Sequence, residues 1–217
     1  MNSSEKSYYE RSLSLLFISF CSGFTAFHYQ VVWYQWLMSH PGFDFINIHW
    51  TAILFIAGFP LGYWLGSRLF LNLNTHTRIT VFILFQLLFV VFALFSKVIL
   101  YQWLLNRHFV QSTQFFQIVF ALFFAMILPP VLMSASIHLL FRTFEKQESV
   151  PLFSLYKYYV SGIIISLLVS SILHISLMGV ENSIYLGAFL NFWCAVIALI
   201  HYSITKAQKP KGRRQFL

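Results

Sequence analysis

The sequence predicts an all-α fold, a polytopic helix bundle that crosses a membrane about six times. Three observations predict it. Of the 217 residues, 59% are hydrophobic and only 9% are charged, against roughly 25% charged in a domain whose surface faces water. The mean hydropathy is +0.72. The apolar residues are also gathered into stretches of about 20, the length a helix needs to span the hydrocarbon core.

Six stretches qualify. The first, 12–38, is too long for a cleavable signal, whose apolar region runs to about 7–15 residues, so we expect a retained helix. The second, 45–65, leads into a row of Gly58, Gly62 and Gly66 at four-residue spacing. That spacing puts the glycines on one helix face, where another backbone can approach closely; Pro60 between them is expected to bend the helix. The third is 79–95. The fourth, 115–140, contains Pro129 and Pro130, which remove two backbone donors and predict a kink. The fifth, 155–177, is rich in serine, a small residue suited to helix packing. The sixth is 184–202. A cytoplasmic N-terminal segment (1–11) and a basic cytoplasmic tail (205–217) flank a transmembrane domain spanning 12–204.

Basic residues set the orientation. Of the 14 lysines and arginines, only Lys97 and Arg107 fall on one side. The other side holds Lys6, Arg11, Arg68, Arg78, Arg142, Lys146, Lys157 and the tail cations from Lys206 to Arg214. Cytoplasmic loops carry the excess of positive charge, so both termini are expected in the cytoplasm. The net charge of +8 does not predict nucleic-acid binding, because the cations sit in short loops and a tail rather than on one folded face. The tail is expected to touch anionic lipid. The loop 96–114, with Trp103, Leu104 and Leu105, is expected to lie along the membrane surface.

Polar side chains inside spans are the default functional candidates. They are His28, Gln30, Gln35, Gln86, Gln117, His138, Lys157, His174, Asn191 and His201. No acid falls within a predicted span, since Asp44 and Glu181 lie at outer helix ends; this counts against a proton-coupled transporter. His28 and His174 are predicted in the outer halves of their helices, and two facing imidazoles are the ligand set of a b-type haem. Hydrogen bonding between helices is the commoner use of such histidines, and no cofactor or metal is expected. His40, His49 and His108 are scattered near the same surface. Cys21 and Cys194 lie in apolar runs and read as small hydrophobes. The sequence contains no GxSxG, HExxH, P-loop or GxGxxG pattern, so no enzyme is predicted.

Four segments, taken in order, resemble the membrane domain of bacterial membrane-bound spermidine synthase-like proteins. They are Phe20-Cys21-Ser22-Gly23-Phe24-Thr25-Ala26 with Tyr29-Gln30-Val31-Val32-Trp33; the run from Gly58 to Leu69; Leu128-Pro129-Pro130-Val131-Leu132-Met133-Ser134-Ala135; and Leu155-Tyr156 with Gly162, continuing to Gly179 and Asn191. Together they cover nearly the whole chain. The chain departs from that pattern at Gln35 for an arginine, Tyr159 for an asparagine, Ser134 for a glycine and His138 for a proline. Catalytic members carry a soluble aminopropyltransferase domain after the membrane part. This chain ends at Leu217 without one, so polyamine synthesis by it alone is not expected.

The expected function is therefore a non-catalytic membrane subunit or scaffold of a larger complex in a bacterial inner membrane. Its partners would be lipid and other membrane or membrane-associated proteins, met through the face of Gly58, Gly62 and Gly66 or the kink at Pro129 and Pro130. One alternative is a carrier for a small molecule such as a polyamine, its path lined by Gln30, Gln35, Gln117 and Asn191. Another is a haem- or quinone-associated electron-transfer subunit, resting on the histidines.

Overall fold

The computed structural model describes residues 3–38, 48–98, 123–145, 150–170 and 175–207. Among them are six α-helices and no strand: α1 (Ser3–Met38), α2 (Ile48–Leu69), α3 (Thr75–Val98), α4 (Leu128–Glu145), α5 (Leu152–Val169) and α6 (Ile175–Ala207). Ser12–Trp36, Thr75–Ser96, Leu152–Val169 and Leu177–Ile204 are long and apolar enough to cross a membrane, and Ile53–Leu69 is a shorter apolar helix. The chain is a multi-pass helical membrane protein. The loop 99–122, the start of the expected fourth span and the tail 208–217 lie outside the described residues.

Local chemistry explains several helix ends. Asn74 caps α3: its side-chain oxygen accepts from the Thr77 amide at 2.8 Å and from the Thr77 hydroxyl at 2.9 Å. This satisfies a donor that the first helical turn otherwise leaves open. Pro151 precedes α5 with φ −57° and ψ 134°, and its carbonyl accepts from the Ser154 amide at 2.9 Å. Pro129 and Pro130 fall in the first turn of α4, directly after a π-helical turn over Phe123–Ile127. Early helical positions tolerate missing donors, and here the irregularity takes the form of a change of helix type.

The sixth helix starts earlier than the sequence suggests and carries a break. Gly179 has φ +77° and ψ 165°, a backbone state open to glycine and strained for other residues. The unpatterned gap between the two C-terminal spans is thus filled by a short helical lead and this kink.

In space the helices follow the order α2, α4, α3, α6, α1, α5, with α1 also meeting α4 across the middle. α1 is the central element: Leu15, Ile18, Tyr29 and Val32 are fully buried. Two seams are made by glycines. A Cβ at Gly23 would fall on the Tyr159 carbonyl, and one at Gly162 on the Phe20 carbonyl, so α1 and α5 pack backbone to backbone. Gly58, Gly62 and Gly66 face α4 in the same way, against Pro130, the Val131 backbone and Ala135. Of the surfaces singled out as partner contacts, the glycine row and Pro130 therefore lie against each other, while Pro129 lines a gap shared with Phe89 and Phe92 of α3. Among the described residues the arrangement does not close. α5 only grazes α4 and does not reach α2, leaving one flank open.

These contacts grade the glycines. Gly62→Ala places a methyl group on the Val131 backbone and is expected to lower stability by about 1–3 kcal/mol. Gly66→Ala, whose Cβ would sit 3.1 Å from the Ala135 Cα, is expected to cost less. Unfolding temperatures in one mild detergent check the order, and equal tolerance at both sites would contradict the seam.

Candidate functional site

Several polar groups in the bundle interior hold helices together, while the buried Ser19 hydroxyl and Trp33 Nε1 have no hydrogen-bond partner among the described residues. His28 on α1 is fully buried and reaches two other helices. Its Nε2 lies 2.6 Å from the Ser183 carbonyl on α6, and its Nδ1 lies 2.7 Å from the Ser170 hydroxyl at the end of α5. A carbonyl only accepts, so Nε2 carries the proton; in the neutral ring Nδ1 then accepts from Ser170. The Ser166 hydroxyl continues this chain at 3.2 Å from Ser170. Phe24 stacks on the imidazole with ring centroids 5.6 Å apart.

The neighbouring turn adds a second link. The Asn191 amide on α6 donates to the Tyr29 hydroxyl at 3.3 Å. Tyr29 stacks on Trp33 at 4.8 Å, and its ring lies over Gly187, where a Cβ would press on it. Towards the other end of α6, the buried His201 meets the Ser14 hydroxyl at 3.2 Å and the edge of Phe144. Cys21 and Cys194, both buried and free, lie within hydrogen-bonding reach of each other across the α1–α6 boundary.

The remaining candidates are scattered. Gln30 is buried, Gln35 half-buried and Lys157 exposed. Gln86 is buried on α3, its side-chain oxygen without a hydrogen bond among the described residues. Gln117 and His174 lie outside the described residues. Both ring nitrogens of His28 are taken by Ser170 and Ser183, which leaves none for iron, so the geometry at His28 does not fit a haem ligand. No group of three or more His, Cys, Asp or Glu placed to hold a metal occurs among the described residues.

The open flank is different in kind. Between α2, α4 and α5 lies a cleft of about 840 Å³, within the roughly 300–1,000 Å³ range of ligand pockets. Phe59, Tyr63, Ile137, Phe141, Phe153 and Ile163 give it apolar and aromatic walls. Ser134, His138 and the tyrosines Tyr63, Tyr156 and Tyr159 add polar groups to its lining. Ser134 donates to the Phe59 carbonyl at 2.8 Å, tying α4 to α2. His138 sits edge-on to Tyr63 with centroids 4.6 Å apart. Tyr159 is 6% exposed, packs edge-on to Phe141, and its buried hydroxyl has no hydrogen-bond partner among the described residues.

No family model, no curated protein and no solved structure matches the chain. The site is therefore read from its own residues. His138 was legible in the sequence as an intramembrane polar group, whereas Phe59, Tyr63, Phe141, Phe153 and Tyr159 were not. Aromatics abound in every span, and the cleft joins helices far apart in the chain.

The interior network makes a graded prediction. His28→Phe removes two interhelical hydrogen bonds and is expected to cost about 1–2 kcal/mol. Asn191→Leu removes one long bond and is expected to cost less. Chemical or thermal unfolding in detergent reads both, and a purified sample of the unaltered chain is expected to show no Soret absorption.

Proposed function

We propose that the chain is a non-catalytic membrane subunit that works by binding within the lipid phase. Its rigid six-helix body seats another membrane component in the α2–α4–α5 cleft and so organises a larger assembly. The observation that carries this reading is the contrast between interior and flank. His28, Asn191, Tyr29 and His201 are engaged in contacts between helices, while the cleft offers an apolar volume with polar groups at its wall.

A polycation carrier would be served by acidic lining, and the described residues that line the cleft include no carboxylate. Aromatic and aliphatic walls suit an apolar guest. The resemblance to the membrane domain of spermidine synthase-like proteins supports the same class of role, a membrane part that acts without chemistry of its own. We place the chain in a bacterial inner membrane with both termini in the cytoplasm, on the distribution of its basic residues. Arg68, Arg78, Arg142 and Lys157 then mark the cytoplasmic half, where the cleft lies.

Native mass spectrometry of the protein, extracted from its own membranes in mild detergent, tests the reading. A stable mass above the 25.4 kDa chain that resolves into other polypeptides is expected. A lone chain with nothing bound would overturn it.

A further inference from the structure

The cleft carries a more specific reading, which rests on the binding role proposed above. We infer that its occupant is one anionic phospholipid of the surrounding bilayer. On this inference an acyl chain lies between α4 and α5, and an ester carbonyl accepts a hydrogen bond from Tyr159.

Three features fix the chemistry. The first is the Tyr159 hydroxyl. A buried hydroxyl without a partner is costly, and this one belongs to a residue lining a cleft whose other walls are mostly apolar. A helix carbonyl has a second lone pair and can accept as well, as the Phe59 carbonyl does from Ser134; what selects a lipid ester carbonyl over a helix is the charge at this end of the bundle.

The second is depth. Tyr159 lies seven residues into α5, counted from Leu152, about 10 Å along the helix axis. The residue is thus set below the helix end, with helical side chains leaning back toward that end, a depth that suits an ester group beneath its headgroup. The third is charge. The same end of the bundle exposes Arg68, Arg142 and Lys157, which favours a phosphate-bearing, net negative head over a neutral one.

The mouth of the cleft agrees with a lipid entering from the side. Phe153 is 76% exposed, and Tyr63 and Tyr156 are more than half exposed. Inside, Ile137, Phe141, Val160 and Ile163 offer a surface for an acyl chain.

The test is native mass spectrometry of the full chain after repeated detergent exchange, followed by re-addition of phosphatidylglycerol or phosphatidylcholine. The unaltered chain is expected to retain one phospholipid and to prefer phosphatidylglycerol. Tyr159→Phe, a near-isosteric change, is expected to lower the retained fraction about fivefold, the effect of one hydrogen bond. Val160→Trp fills the cleft and is expected to abolish retention at an unchanged unfolding temperature. Arg142→Gln with Lys157→Gln is expected to remove the headgroup preference. Retention that is equal in the unaltered chain, Tyr159→Phe and Val160→Trp would overturn the proposal, since the lipid would then be annular. A photo-reactive residue at position 156 separates the two levels of the argument. Cross-linking to a partner polypeptide without a retained lipid defeats the lipid assignment and keeps the binding role; neither lipid nor partner defeats both.

Discussion

Close contact between helix backbones is the constraint on which this structure depends. In a bilayer the surrounding lipid is as apolar as the helices, so hydrophobic burial drives little association. What remains is packing and the satisfaction of polar groups. The crossing of α1 and α5 shows the first at its limit, because Gly23 and Gly162 each bring a partner carbonyl to where a Cβ would be. Gly62 does the same against the Val131 carbonyl between α2 and α4, where Gly58 and Gly66 admit the Pro130 ring and Ala135. His28 supplies the second, joining α1 to both α5 and α6.

These seams decide where the molecule is closed and where it is open. α1 is held so tightly by α5 and α6 that its polar residues face protein. α4 is drawn onto α2 by the glycine row and onto α2 again by the Ser134 bond to the Phe59 carbonyl. With α5 fixed to α1 and α4 fixed to α2, no seam draws α5 and α2 together. The cleft is the consequence, and its polar lining comes from residues that the seams place beside it: Tyr159 is next to the Gly23 contact, and His138 lies one turn beyond Ser134. The architecture thus turns its binding capacity sideways to the bilayer.

The fold was largely legible in the sequence, because long apolar runs have one solution in lipid, a helix that bonds its own backbone. The third span was expected at 79–95 and is found as Thr75–Val98, extended by the Asn74 cap. The glycine row was legible from its four-residue period alone. Gly23 and Gly162 were not legible as a seam, since each is a single small residue and only the tertiary structure brings them together. The break at Gly179 was hidden for another reason: a positive φ leaves no mark on hydropathy. The cleft was the least legible feature. Its walls combine 59–63, 134–141 and 152–163, and the sequence offers no pattern that pairs those segments.

The closed interior is the central claim, and the chain's own cysteines probe it. A water-soluble thiol reagent needs a hydrated thiolate to react, and Cys21 and Cys194 lie inside the α1–α6 boundary. Native membranes treated with a charged methanethiosulfonate, then analysed by intact mass, should show neither cysteine modified until the protein is unfolded, and both modified afterwards. Modification of either thiol in the folded protein would reveal water within the bundle, and with it an aqueous path that contradicts a closed interior and a lateral site.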